Sequence, residues 1–548
     1  MGRLFRQPWL LGILSAALLI LPFAIMGPVP FWRTFFAWLA FVPLFWALLS
    51  PSNLNHPKAL LRGTLAAYVM GVLWFAGNCY WIYQTMLYYG GLPPFISAGI
   101  LIAYSVILGL YFAAFGLLVT ATARVFRSPH YGLLAAPFFW VALEVLSARF
   151  TKVPWDSLGY AQIDNFLLTN LAPYTGVYGL SFVLLAGNAV IAWGALASTA
   201  RRRIVVLPGA LLLALLLQNG DHFPPPSAPV EDTAVLLQQN LDVNQDNSWP
   251  GPEYADHLKE FVRLSSRTCG PYFAGMPELN DYPVTPDCPE TPAAPGMILW
   301  PESPAPFLDK DPRLLEALKG LATSMQAPLI IGTSSLDPHG PRFDLYNSAL
   351  FIGADGKVAG RYDKIHLVPW GEYIPYKEFF SFAKNLTQQA GDMTHGWKRI
   401  VFKSGGHTFG VFICYEEIFS DEIRLFARAG AQVLVNISND GWYGDTCAPW
   451  QTLSMSRMRA VENRRWLLRD TNTGLTTVID PYGRLTASVQ RHARTSLAAR
   501  YGYRNDLTFY TVHGDLFAYL CGIISVGVIA AVLVRASMRQ RMVKPYVE

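Results

Sequence analysis

The chemistry in this chain is concentrated where three short apolar runs end on reactive side chains. Thr408-Phe-Gly-Val-Phe-Ile leads into Cys414, which Tyr415, Glu416 and Glu417 follow. Gly296-Met-Ile-Leu-Trp-Pro leads into Glu302, and Lys357-Val-Ala-Gly-Arg-Tyr-Asp leads into Lys364, with Gly371-Glu372 close behind. A thiol near its free pKa is mostly protonated and needs a base to act as a nucleophile. A carboxylate can take that proton, and an ammonium can stabilise both a thiolate and a tetrahedral oxyanion. Taken singly, a strand-end Cys is ordinarily a buried core residue, and a strand-end Glu or Lys a solvated charge. Taken together, Glu302, Lys364 and Cys414 supply a base, an oxyanion partner and a nucleophile. Glu372 is a second carboxylate able to orient the lysine. Glu417 is expected to be a solvated or helix-capping carboxylate. The six cysteines form no CxxC pair and no HExxH occurs, so no metal site and no cofactor are expected.

Positioning these groups requires strands, and the region from about 221 to 505 reads as strands alternating with helices. Phe409 to Ile413 is rich in β-formers and too short for a helix of its own. Ala234–Asn240, Ala327–Thr333 and Gln432–Ile437 are further strand candidates, and Arg313 to Met325 reads as a helix. A Gly-containing turn joins Asn347–Ile352 to Lys357–Tyr362 as a hairpin, and 476–489 repeats that design. Asp421 is expected to cap a helix that Gly430 ends. The pattern predicts an α/β domain of sandwich type, whose strand ends along one edge are where such folds place their sites. The Pro- and Gly-rich 265–295 stretch reads as a loop insertion. Its Cys269 and Cys288 would be able to form a disulfide in an oxidising compartment.

The rest of the chain belongs in lipid. At 548 residues more than one domain is expected. The composition is 52% hydrophobic and 15% charged, against about 25% charged for soluble domains. Apolar runs near 8–26, 34–49, 64–83, 97–122, 130–147, 176–198, 204–218 and 516–534 predict seven spans before the α/β region and one after. This divides the chain into 1–220, 221–505 and 506–548. The net charge of +5 does not argue for nucleic acid, but its placement orients the membrane part. With a cytoplasmic N-terminus, thirteen Lys and Arg fall inside and three outside, which puts the 221–505 domain outside the cytoplasm. Glu144, Arg149, Pro154-Trp155 and Gly159–Gln162 form either an interfacial loop with aromatic anchors or a polar shelf for a lipid head group.

The motifs Trp300-Pro-Glu302, Asp363-Lys364-Ile-His-Leu-Val-Pro-Trp-Gly-Glu372, Cys414-Tyr-Glu416 and Asn439-Asp-Gly-Trp-Tyr443 resemble the nitrilase superfamily in order and spacing. That superfamily uses a Glu–Lys–Cys triad on carbon–nitrogen bonds or in acyl transfer. With the surrounding spans, the chain is similar to a membrane-embedded branch, and the similarity extends to Gly176–Ser181 with Asn188, Arg459–Glu462 and Arg469–Gly474. The resemblance implies a polytopic helical membrane domain joined to an αββα sandwich.

It implies a two-step reaction. Cys414 takes an acyl chain from a glycerophospholipid as a thioester. The α-amino group of a diacylglyceryl-cysteine on an apolipoprotein then receives it. Glu302 would be the general base and Lys364 the oxyanion holder, helped by the Tyr415 N–H. Glu372 and Glu416 match positions the family uses close to the triad, and Trp249 matches a substrate-contacting one. Trp442 and Tyr443, with Trp450, read either as lipid contacts or as ordinary core packing, and the aromatic Tyr373–Gly396 loop either as an interfacial lid or as aromatic-belt packing. A bacterial inner-membrane location with the catalytic domain facing the periplasm follows, and the protein is expected to be a monomer. Asp470, where the family usually has a small residue, Thr452, where a His is common, and the long 265–295 insertion depart from the pattern. A membrane-tethered amidase and a polytopic transporter with a large outer domain are the competing readings.

Overall fold

The computed structural model describes residues 7–196, 199–243, 254–267, 294–302, 307–369, 371–373 and 393–543. Trp249, Cys269, Cys288 and most of the Tyr373–Gly396 loop lie outside the described residues. The chain divides into two compact units. One comprises Met1–Tyr83, Pro94–Pro224 and His513–Glu548, the other Gln84–Pro93 and Pro225–Val512.

The first unit is helical. Among the described residues, seven helices are long and apolar enough to cross a membrane. They are Phe31–Leu49, Ala59–Asn78, Pro94–Val125, Pro129–Thr151, Val177–Leu196, Arg203–His222 and Leu516–Arg539. The predicted first span forms only the 13-residue helix Pro8–Ile20. Pro22 lacks the N–H that would extend it, so the apolar run to residue 26 outlasts the helix. Phe31–Leu49 gains its length from a broken helix, with a tight turn at Phe35–Trp38 between two α segments. The break frees backbone groups that lipid cannot satisfy. Asn188 supplies the partners: its Oδ1 accepts from the Phe41 N–H at 2.9 Å and its Nδ2 donates to the Ala37 carbonyl at 2.8 Å.

The segment after Pro129–Thr151 turns inward, with Trp155, Asp156, Tyr160 and Gln162 all buried. Glu144 accepts from the Leu158 N–H at 2.8 Å, and Ser181 from the Gly159 N–H at 2.9 Å. A Cβ on Gly159 would stand 2.4 Å from the Val177 carbonyl oxygen, so only glycine allows this approach. Arg149 pairs with Asp515.

The second unit holds two six-stranded sheets. The first is ordered β12-β1-β2-β3-β4-β5, from β1 (Asp232–Gln238), β2 (Met297–Trp300), β3 (Leu329–His339), β4 (Arg342–Ile352), β5 (Val358–Asp363) and β12 (Thr495–Tyr501). The second is ordered β11-β10-β9-β8-β7-β6. It contains β6 (Val401–Ser404), β7 (His407–Ile413), β8 (Val433–Ser438), β9 (Trp466–Thr471), β10 (Thr477–Ile479) and β11 (Leu485–Ser488). Each sheet has a parallel core, β1–β3 in one and β7–β9 in the other, flanked by antiparallel strands. The sheets face each other, β1 over β9 and β4 over β7.

Helices Tyr254–Ser266 and Pro312–Met325 cover the outer face of the first sheet, burying Leu258, Phe261, Leu314 and Leu318 against Val235, Ile298 and Trp300. Helices Ser420–Arg428 and Ala448–Asn463 pack with the second sheet. The predicted αββα sandwich is therefore what the chain forms. β8, covered on both faces, is wholly buried, including its polar Asn436 and Ser438. One local expectation changes: Phe419 occupies the cap of helix Ser420–Arg428, and Asp421 sits in its first turn, where a carboxylate still favours the dipole. Gly430, at φ +99°, ends it as expected.

The second unit also includes Gln84–Pro93. Its turn Thr85–Tyr89 rests on the Asp440–Tyr443 turn. The Thr85 hydroxyl donates to the Trp442 carbonyl at 3.2 Å, and the Tyr89 ring meets Trp442 edge-on at 6.1 Å.

Candidate active site

β2, β5, β7 and β8 deliver their following residues to one place. Glu302 follows β2, Lys364 follows β5, Cys414 follows β7 and Asn439 follows β8. Lys364 is 1% exposed, and its Nζ lies 3.1 Å from Glu302 Oε1 and 2.9 Å from Glu372 Oε1. Burial alone would lower the lysine's pKa, but the carboxylates of Glu302 and Glu372 outweigh it and hold the ammonium well above its ordinary value. Glu302 Oε2 accepts from the Asn439 N–H at 3.0 Å, and Glu372 Oε2 from the Val368 N–H at 2.8 Å. Each carboxylate thus has one oxygen on backbone and one turned to the lysine.

Cys414 opens a tight helical turn, Cys414–Ile418, with a left-handed φ of +49°. For a residue with a Cβ this conformation costs about 1 kcal/mol or more, and it is kept only where the surroundings enforce it. Glu416 provides much of that enforcement. Its Oε2 accepts from the Ile413 N–H at 2.7 Å, and its Oε1 from the N–H groups of Ile365 and His366 at 2.7 and 3.1 Å. The Tyr362 hydroxyl reaches both oxygens, at 2.8 and 2.9 Å. One buried carboxylate therefore ties the nucleophile turn to the stretch that carries Lys364. Burial pushes Glu416 upward in pKa, and these hydrogen bonds oppose it.

The Cys414 thiol is buried, which pushes its pKa well above the ordinary value; the Glu302 charge adds to this, while Lys364 and Ser438 pull it back. A resting thiol beside a carboxylate is suited to transferring its proton on attack, rather than to standing as a preformed thiolate.

The structure gathers Glu302, Lys364, Glu372, Cys414, Tyr415 and Glu416 around one centre. Tyr443 is buried within electrostatic reach of the thiol, and Trp442 stands 39% exposed beside it in sequence. Glu417 departs from expectation. It is 1% exposed and ion-paired with Arg469 at 3.3 Å, because the turn after Cys414 directs it at the packed face of β9 instead of at solvent. Asn347 on β4 went unnoticed in the sequence: its Nδ2 donates to both Glu302 Oε1 and Glu372 Oε1 at 2.7 Å. The only signal for it was a polar residue opening the apolar run Ser348–Ile352. Among the described residues, no group of His, Cys, Asp and Glu could hold a metal ion.

Residues 238–500 match the carbon-nitrogen hydrolase family, and residues 15–190 match the apolipoprotein N-acyltransferase N-terminal domain. The chain is 34% identical over 543 residues to an apolipoprotein N-acyltransferase of Geobacter metallireducens, covering 97% of this chain and 96% of that one. It is 31% identical to the Methylococcus capsulatus protein of the same name, over 91% of each chain. Among solved structures, Saccharomyces cerevisiae Nit3, a member of branch 10 of the nitrilase superfamily, aligns at 18% identity with a TM-score of 0.35. It covers 50% of this chain and 92% of that one. With a membrane-helical domain and a carbon-nitrogen hydrolase domain both matched, and near-complete coverage of relatives above 30% identity, the chain is a multi-pass membrane acyltransferase acting on lipid and lipoprotein. It belongs to the apolipoprotein N-acyltransferase family.

Proposed function

We propose that the chain N-acylates lipoproteins by a ping-pong mechanism through a Cys414 thioester. Glu302 takes the thiol proton as sulfur attacks the ester carbonyl of a glycerophospholipid. The Lys364 ammonium and the Tyr415 N–H hold the oxyanion, and collapse expels the lysophospholipid alcohol, which receives its proton from Glu302. The α-amino group of a diacylglyceryl-cysteine then attacks the thioester and gives a proton to Glu302. As the amide forms, that proton returns to the Cys414 sulfur. Glu372 keeps Lys364 charged and in place, and Glu416 holds the nucleophile turn. Trp249, Trp442 and Tyr443 are assigned to substrate contact.

The observation that carries this reading is the buried Lys364 ammonium, fixed between Glu302 and Glu372 at the strand ends that also present Cys414. The thirteen-to-three cation distribution supports placing residues 221–505 on the periplasmic side of a bacterial inner membrane, with 1–220 and 506–548 as the membrane parts. The protein is proposed to work as a monomer without a cofactor.

Incubation with acyl-labelled phospholipid in the absence of acceptor, followed by mass mapping, tests the mechanism. The expected product is an acylated Cys414 that a diacylglyceryl peptide then discharges. Label transfer without acyl-Cys414 would rule out the ping-pong route, and turnover of simple amides alone would favour the tethered-amidase reading.

A further inference from the structure

The parallel core of the second sheet brings a second side chain to the nucleophile. Ile413 of β7 pairs with Ile437 of β8, so Cys414 and Ser438 leave adjacent strands side by side. Ser438 is fully buried, and its hydroxyl lies 3.1 Å from Asp440 Oδ1. The thiol's pKa is raised mainly by burial, and the neighbouring Ser438 hydroxyl works against that rise. A serine hydroxyl carries one proton and can donate to one partner at a time, while its lone pairs remain free to accept.

Asp440 has its own anchor. The Arg469 guanidinium, fully buried, reaches Asp440 Oδ1 and Oδ2 at 3.1 and 3.0 Å. It also reaches Glu417 Oε1 and Oε2 at 3.3 Å, Thr452 Oγ1 at 3.1 Å and the Leu475 carbonyl at 3.2 Å. Ser456 donates to Glu417 as well. One guanidinium thus joins the turn that carries the nucleophile, through Glu417, to the turn whose Asn439 N–H holds Glu302.

We infer that Ser438 is a catalytic residue whose hydroxyl turns from Asp440 to the Cys414 sulfur as the thiolate forms, and that Arg469 is the positioning residue that permits the turn. The inference rests on Cys414 being the nucleophile. While the thiol is protonated, the serine proton belongs to Asp440. When Glu302 removes the thiol proton, sulfur becomes the stronger acceptor, and rotation about the Ser438 Cβ–Oγ bond satisfies it. The proton count closes: the thiol proton resides on Glu302, and Ser438 keeps its own throughout. Asp440 loses one hydrogen bond but retains two from Arg469, so its charge is not left bare beside a new anion. Without Arg469, Asp440 and Glu417 would both oppose thiolate formation.

The test is the pH profile of Cys414 alkylation by iodoacetamide, read peptide by peptide on the full-length protein in nanodiscs. Ser438→Ala and Arg469→Gln are each expected to slow Cys414 alkylation at pH 8 about tenfold, the loss of one hydrogen bond to a charged group. Their profiles should move to higher pH. Ser438→Thr, which keeps the hydroxyl, should stay within about threefold of the parent. The rate of thioester formation should fall in parallel, with KM for phospholipid unchanged. A purely structural role predicts a lower Tm with an unmoved alkylation profile, and that result for Ser438→Ala would overturn the inference. If Arg469→Gln fails to fold, Ser438→Ala, which removes one oxygen atom, decides alone. Failure of phospholipid to acylate Cys414 in the parent protein would sink the ping-pong mechanism, while the alkylation profile would still judge Ser438.

Discussion

The side-chain amide of Asn347 lies 2.7 Å from Glu302 Oε1, the same oxygen that faces the Lys364 ammonium at 3.1 Å. Its nitrogen also reaches Glu372 Oε1 at 2.7 Å, so one amide and one ammonium together separate the buried Glu302 carboxylate from the partly buried Glu372 carboxylate. Replacing Asn347 by Leu removes a donor from each. The expected result is a fall in kcat of at least about tenfold, from hydrogen bonds to charged groups worth about 1.5–3 kcal/mol each. Steady-state acyl transfer with the donor concentration varied should show the loss in kcat more than in KM.

Lys364→Met leaves Glu302 and Glu372 facing each other without their shared cation. Breaking a buried pair in this way costs about 3–5 kcal/mol. The variant should form no acyl-enzyme and should unfold at lower temperature. Adding Glu372→Gln should recover part of the stability but none of the activity. Thermal unfolding in detergent, alongside the acyl-Cys414 assay, separates the two effects.

Glu416→Gln replaces one accepting oxygen with an amide NH2 in a nest of N–H and O–H donors. Whichever way the amide turns, a donor meets a donor at Ile413 or at Ile365 and His366. A destabilisation of about 1–3 kcal/mol is expected. Loss of acyl transfer should exceed the loss of folded protein, since the Cys414 turn depends on this carboxylate. Comparing the fraction folded with activity per folded molecule checks it.

Asp470 is fully buried on β9, paired in register with Ile437, and no side chain among the described residues partners either oxygen. Burial raises its pKa well above the ordinary value, opposed only by the Leu237 N–H. The folded state therefore holds this proton at pH values where the unfolded chain has released it. Stability that is fully present below the unfolded value of about 4 is lost progressively as pH rises toward the folded one. Asp470→Asn should stabilise the catalytic unit at neutral pH, by up to about 3 kcal/mol, and flatten the decline on the alkaline side. Denaturant midpoints at pH 5 and pH 8 would show it; equal midpoints for parent and variant at both would exclude it.

Much of this site was legible because strand ends are short-range signals. Ile413-Cys414, Trp300-Pro301-Glu302 and Asp363-Lys364 each announce a strand and its terminal residue within a few positions, and the fold converges those ends. What was hidden depends on which way a side chain points after the strand stops. Glu417 reads as solvated because charged residues at turns usually are, yet its partner Arg469 lies 52 residues away on β9, two strands over in the sheet. Asn347 lies midway along β4, which begins at Arg342 and not at Asn347 as the sequence suggested, and only the pairing of β4 with β5, which sets Ser348 opposite Asp363, brings it to the lysine. The membrane helices were legible from apolar length. The shortening of the first to Pro8–Ile20 turns on a single proline that hydropathy does not weigh.

The turn Thr85–Tyr89 joins the catalytic unit although the chain makes it more than two hundred residues before most of that unit's strands. Its contact with Trp442 spans 357 residues of sequence. Closing a loop of that length comes late in folding, because the chain entropy must be lost before the contact repays it. The Asp440–Tyr443 turn, and with it Asn439 and the hold on Glu302, is therefore completed only after synthesis has passed β8. A protein truncated to Pro225–Val512 would lack the turn that packs on Trp442. Supplying 84–93 as a separate peptide should restore order to Trp442, read as a change in its fluorescence.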